Sequence, residues 1–273
     1  MKKILLGLLC LSVIFIIGCG GSAVILDSPE ITMVVMHETS VTVTWAADTS
    51  IENHGDFQGY NVYVYTDSSE LLVEDGEDLN KHNADVITDN FYEATNLNQD
   101  SVYYIQVRTI NIDNKVGDYN DSVPFVKASP RPEFTVTLMA ERWYSGVDDS
   151  CAVRFSDASI MADSAMSNGG ADMWALNDSV IAFSFNSPNT HSQYGANTRT
   201  TYFANLESYE LDSIFEVTTE PSESSVGIRE GDLVIAKTED GNYVKIHVDA
   251  IDDTLFTVTI LYAYQNIIDF PYF

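Results

Sequence analysis

Cysteine is nearly missing from this sequence: three in 273 residues, at positions 10, 19 and 151. Two of them fall in or just after the first apolar stretch, so the remainder holds Cys151 alone and no disulfide links its folded parts. Stability has to come from packed cores. Basic residues are scarce as well, with 13 Lys and Arg against 41 Asp and Glu, a net charge of −28. A polyanion is repelled by nucleic acid and by anionic lipid surfaces, which excludes nucleic acid as a partner. The acids are spread over turns without a block of five or more, as on a solvated surface rather than an acidic tail. Enzyme motifs are absent too. There is no Gly-x-Ser-x-Gly elbow, no His-Glu-x-x-His helix, no phosphate-binding glycine loop and no paired zinc cysteines. Cys151 follows Asp148 and Asp149, whose charge disfavours a thiolate nucleophile. The chain reads as a non-enzyme with no catalytic residues and no metal site. An accessory subunit of an extracytoplasmic hydrolase, or a hydrolase without familiar motifs, stands as the alternative.

What is present begins with a leader. Lys2 and Lys3 precede an apolar run from Ile4 to Ile17, shorter than the ~20 residues a membrane span needs. A charged start, a short apolar middle and small residues after it make a secretory signal. Its end, Ile16-Ile17-Gly18-Cys19, resembles the lipobox of bacterial lipoproteins. That resemblance implies removal of residues 1–18, acylation of Cys19 and a lipid-anchored protein of the cell envelope, most naturally on the outer membrane. Cys10, after Leu9 in mid-run, is the poorer candidate. Loss of Lys2 and Lys3 leaves 11 basic and 41 acidic residues, or −30. Two or three acyl chains hold a protein stably where one binds only marginally. Residues 19–28 are read as a short lipidated tether.

Beyond the tether helical periodicity is nearly absent. Short alternating runs of Val, Ile, Thr, Tyr and Phe recur between Asp, Asn, Gly and Ser clusters, the pattern of an all-β protein. The clearest seam is Ala128 to Phe134, where two prolines stiffen a connector, dividing the chain into 29–130 and 133–273. In the first part Val41, Val43 and Trp45 alternate with Thr42 and Thr44, Gly59 to Tyr65 reads as another strand, and Leu97 precedes Tyr103 by six residues. This part resembles a fibronectin type III domain. The resemblance implies a β-sandwich with Trp45, Tyr60, Leu97 and Tyr103 in its core, Tyr103 being the corner tyrosine whose hydroxyl bonds nearby backbone. Such modules serve as spacers, adhesion surfaces and enzyme appendages alike. Asp113, Asp118 and Asp121 are candidate calcium ligands, but they lack EF-hand spacing and read as a solvated loop.

In the second part Leu233–Thr238 and Tyr243–Ala250 flank Asp240-Gly241, a hairpin whose glycine can take a positive φ. Val244, Ile246 and Val248 face one side; Tyr243, Lys245, His247 and Asp249 face the other, read as solvated. Leu255 to Gln265 returns as a third antiparallel strand. The wording of residues 231–246, with Tyr262-Ala263-Tyr264-Gln265, resembles the C-terminal segment of HmuY-like lipoproteins. That implies a second, mainly antiparallel β domain, and haem as a possible ligand held by His or Met. The candidates are His191, in a polar loop, and Met173; Met161 and Met166 also flank this region, and Arg199, Tyr194 and Tyr202 are possible pocket residues. The competing readings are an exposed loop histidine and core methionines. Finally, Asp-Ser/Thr-aliphatic triplets recur at Ser101, Ser122, Ser164, Ser179, Ser213 and Thr254. They resemble an O-glycosylation acceptor pattern of some bacteria, and a chain rich in Asp-Ser turns before strands produces them equally well. The expectation is a membrane-anchored binding, adhesion or display module whose ligand is a protein, a glycan or haem.

Overall fold

The computed structural model describes residues 23–273 apart from positions 47, 75, 143–149, 169, 179–181 and 197. The leader, Cys19, Asp148, Asp149, Ser179 and Val180 lie outside the described residues.

The first half folds as two three-stranded sheets face to face. Its strands are β1 (Ile31–Met36), β2 (Ser40–Trp45), β3 (Phe57–Tyr65), β4 (Phe91–Thr95), β5 (Tyr103–Asn111) and β6 (Val126–Ala128). They pair antiparallel in the orders β1-β2-β4 and β3-β5-β6. The alternation in β2 does what its spacing requires. Val41, Val43 and Trp45 are buried between the sheets while Thr42 and Thr44 stay half-exposed. Trp45 meets Tyr60 edge to face, with ring centres 5.2 Å apart, and Leu97 sits at the margin of the same cluster. The hydroxyl of Tyr103 accepts the backbone N–H of Asn98 at 2.9 Å, the corner bond expected of it.

The long connection from β3 to β4 is irregular, and a buried cation organises it. Arg108, on β5, is fully enclosed. Its guanidinium donates to the carbonyls of Leu71 (2.9 Å) and Val73 (2.8 Å) and to Gln106 Oε1 (2.6 Å). Fixed forks of donors suit a loop that turns its carbonyls inward.

The second half is another sandwich. Its strands are β7 (Glu133–Met139), β8 (Glu141–Arg142), β9 (Ala152–Arg154), β10 (Ser159–Met161), β11 (Met173–Asp178), β12 (Ala182–Asn186), β13 (Tyr202–Ser208), β14 (Ser225–Ile228), β15 (Asp232–Lys237), β16 (Tyr243–Asp252) and β17 (Thr257–Tyr264). One sheet runs β10-β9-β11-β12-β14, with β8 added parallel to β11; the other runs β13-β15-β16-β17-β7. Val244, Ile246, Val248, Val258, Ile260 and Tyr262 from the latter pack on Met173, Ala175, Phe183 and Phe185 from the former. Tyr262 donates its hydroxyl proton to the Phe155 carbonyl across the layer, at 3.0 Å. The hairpin of β15 and β16 closes with Gly241 at φ +89° and a 3.0 Å bond from Thr238 N–H to the Asn242 carbonyl.

The outer face of that hairpin corrects the expectation of a solvated strand. Tyr243 and Lys245 are buried there, in a small cluster with Ile235, Ala263 and the C-terminal Phe273. The chain returns over this face after β13 and again after β17, so alternation alone could not show that both faces are covered. His247, one step further along, keeps partial exposure and bonds Asp249 at 2.6 Å.

The seam is buried rather than extended in solvent. Ala128, Ser129, Pro130 and Arg131 are all enclosed, and Arg131 N–H donates to the His37 carbonyl in the β1–β2 turn at 2.9 Å. Phe215 and Tyr272 from the second half pack on the first sandwich's core cluster. Asn266 reaches Gln99 and Asp100 at 3.5 and 3.4 Å.

Candidate functional site

His191 follows a short 3-10 turn, Pro188–Thr190, after β12. It was expected on an exposed loop, and the structure corrects this: its side chain is 3% exposed. Tyr194 stacks on the imidazole with ring centres 5.1 Å apart, and Trp174 of β11 meets it edge-on at 4.8 Å. Trp174 is itself anchored by donating its indole N–H to the Ser187 carbonyl at 3.1 Å. The backbone N–H groups of Gln193 and Tyr194 both point at His191 Nδ1, at 3.2 and 3.1 Å. Nε2 lies 2.9 Å from Glu141 Oε2. With two donors facing Nδ1, that nitrogen must be the acceptor, so Nε2 carries the proton and donates to Glu141.

Asp163 completes a cluster that sequence reasoning missed. One potential ligand atom each from Glu141, Asp163 and His191 lie within 4.8 Å of one another. The residue types suit a borderline metal ion, but the proton placement does not. A metal needs the imidazole lone pair, and here that lone pair is turned into the backbone while the N–H faces the carboxylates. Asp163 Oδ1 also accepts the N–H of Ser164 at 2.6 Å. The cluster is a hydrogen-bonded brace that ties the 188–195 turn to β8. Glu141 lies fifty positions away from His191 in sequence, so no local signal announced the pair.

Haem fits no better. Met173 is completely buried in the core between the two sheets. Met166 is equally enclosed, and Met161 lies on β10 against the Cys151–Trp174 cluster. An axial pair would need His191 to give up its bond to Glu141 and the two it accepts from Gln193 and Tyr194, and Met173 to leave the core. The other expected pocket residues also have structural duties. Arg199 donates through Nε to Asp172 Oδ1 at 2.8 Å and pairs with Asp240 in the β15–β16 turn. Asp172 is 3% exposed, and burial raises its carboxyl above the usual range against the lowering pull of the Phe155 N–H and Arg199. Burial, with Asp172 and Asp240 nearby, pushes the Tyr264 hydroxyl up to about 12. Tyr194 caps His191, whereas Tyr202 is exposed on β13.

In the first half, Asp113 accepts the N–H of Ala23 at 2.8 Å, so this proposed calcium ligand serves the N-terminal segment. A cleft of about 500 Å³ lies nearby, lined by Asn61, Tyr63, Leu79, Lys81 and Asn114 among others. Among the triplets, Ser122, Ser213 and Thr254 are exposed, while Ser101 and Ser164 are half-buried.

A second concentration of buried charge sits where the two sandwiches meet. Arg131 is fully buried, pairs with Glu133 and lies 3.5 Å from Asp212; its Nε has no hydrogen-bond partner among the described residues. Lys245 Nζ donates to the Ile214 carbonyl at 2.9 Å. Burial, with the Arg131 charge adding to it, pulls the Lys245 ammonium down to about 7. Arg131 and Lys245 are enclosed by packed protein, whereas the Glu133 and Asp212 carboxylates reach solvent.

The fold therefore defines a two-sandwich β protein, with polar clusters spent on bracing loops and on the junction. Residues 27–125 match the family model of the fibronectin type III domain, and the first sandwich is a domain of that family. No curated protein matches the chain.

Proposed function

We propose that this protein is a lipid-anchored display module of the bacterial cell envelope, which holds its second sandwich away from the membrane to bind a protein or glycan partner. One observation carries this reading: the two attachments of the first sandwich lie at opposite ends of one strand. Residues 23–24 bond to Asp56, Asn111 and Asp113, at the end of β5. Residues 129 and 131 bond to Gln99 and His37, beside its start. β5 has nine residues, so the two points are separated by about 27 Å of strand. A buried connector joins the two sandwiches, and Phe215 and Tyr272 of the second pack on the core cluster of the first.

The sequence of the leader and Cys19 supports the anchor, and a fibronectin type III domain in series with a second β unit supports a spacer role. Haem capture is not the reading favoured, because His191 and Met173 are committed elsewhere. Replacing Cys19 by Ser tests the anchor. The variant is expected in the soluble fraction and the parent in the membrane fraction, with the parent labelled by an impermeant reagent on intact cells. Membrane retention of the Cys19→Ser protein would count against the proposal.

A further inference from the structure

The end of the first sandwich that receives the N-terminal segment carries three exposed aliphatic side chains. Val24, Ile25 and Ile112 are 54%, 58% and 54% exposed, whereas the adjoining Leu26 is buried. Single exposed aliphatics are ordinary on a protein surface, but these share one footing. The N–H of Val24 donates to the Asp56 carboxylate, and the N–H of Ile112 to the Asp56 carbonyl, both at 2.9 Å.

The segment bearing two of them is fastened without joining a sheet. Ala23 N–H donates to Asp113 at 2.8 Å, and the Asn111 side chain donates to the carbonyls of Ala23 and Val24 at 3.3 and 3.0 Å. The Thr109 hydroxyl donates to the Leu26 carbonyl at 2.6 Å. The tether expected over residues 19–28 is thus docked from residue 23 onward. Cys19 precedes Ala23 by four positions, at most about 14 Å of extended chain.

We infer that this end, with Val24, Ile25 and Ile112, rests in the headgroup region of a zwitterionic lipid surface, so that the molecule stands upright on a rigid foot. The inference rests on the lipid anchor at Cys19 proposed above. An anchored bilayer within that reach must be met by whatever surrounds Ala23, and aliphatic side chains partition favourably into the interface. Charge selects the lipid class. Asp56 and Asp113 lie on the same end of a strongly acidic chain, so anionic headgroups are repelled and the ammonium groups of zwitterionic ones are matched.

The test uses the full lipidated protein in phosphatidylcholine vesicles, with an environment-sensitive fluorophore at Ile112→Cys or Ile25→Cys. Leu255→Cys, 65% exposed on the β16–β17 turn, is the remote control, and the buried Cys151 is shielded from the reagent. Spin-labelled lipid of headgroup depth is expected to quench positions 112 and 25 several-fold more than 255. Equal quenching with flotation intact would overturn the inference while leaving the anchor standing. Failure of the parent to float with vesicles would overturn both. Asn111→Ala with Asp113→Asn unfastens the segment and is expected to level the quenching without loss of flotation; an unchanged contrast would overturn the rigid foot.

Discussion

Lys245 Nζ lies 5.3 Å from the centre of the Phe273 ring, and each residue is 1% exposed. The last residue of the chain thus covers a lysine from the middle of the second sandwich. The ring face and the Ile214 carbonyl attract the ammonium, but loss of water and the nearby Arg131 charge outweigh them. The result is a lysine that gives up its proton near neutrality.

This makes stability depend on pH in a definite direction. The folded-state value of about 7 lies below the ordinary lysine value of 10.5, so between the two the unfolded chain binds the extra proton. Stability must rise with pH across that window, is fully developed above the unfolded value, and is lost as pH falls toward 7. The urea midpoint is expected to climb from pH 7 to 9.5, and Lys245→Met to flatten the climb. Equal slopes in the two proteins would refute the assignment. Above pH 10 the raised hydroxyls of Tyr60, Tyr262 and Tyr264 act in the opposite sense, because unfolding lets them ionise.

His191 is expected to act through packing. Its replacement by Ala removes an acceptor for two N–H groups, a donor to Glu141 and two aromatic contacts. The cost is about 2–3 kcal/mol, read as a lowered denaturation midpoint. Haem titrated into the parent is expected to give no sharp Soret shift. A shift that disappears in His191→Ala would show that the proton placement argued for this ring is wrong.

The Asp172–Arg199–Asp240 bridge predicts a local effect. Arg199→Ala leaves the buried Asp172 with the Phe155 N–H as its remaining support. Amide exchange is expected to quicken in residues 187–201 and the Asp240 turn while β16 and β17 stay protected. Uniform quickening across the second sandwich would contradict a local brace.

The elements that were legible in the sequence are those set by neighbours along the chain. The alternation of Val41, Val43 and Trp45 fixed a buried face, and Asp240-Gly241 fixed a hairpin, because strand periodicity and turn chemistry are local. The Leu97–Tyr103 spacing likewise placed a corner whose bond spans five positions. The burial of Lys245 was not legible, since its cover comes from Ile214 and Phe273, 31 and 28 positions away. Nor was the pairing of His191 with Glu141, which depends on β8 joining β11 in parallel. Exposure of a polar residue is settled by which distant segment lies over it, and no window of sequence contains that.

Arg108 makes the same point and gives a sharp test. Among the described residues its acceptors include the carbonyls of Leu71 and Val73, more than thirty residues earlier. Arg108→Ala would leave those carbonyls buried without their donor and open a void beneath the β3–β4 connection. The expected loss is roughly 3 kcal/mol or more. Arg108→Lys should recover only part of it, because a point ammonium cannot satisfy acceptors set for a fork. Tyr103→Phe, which removes one hydroxyl from one N–H, should cost about 1 kcal/mol. Denaturation midpoints of the three variants, with amide exchange over residues 66–90, rank the effects. If Arg108→Ala cost no more than Tyr103→Phe, the cation would not be what holds that connection in place.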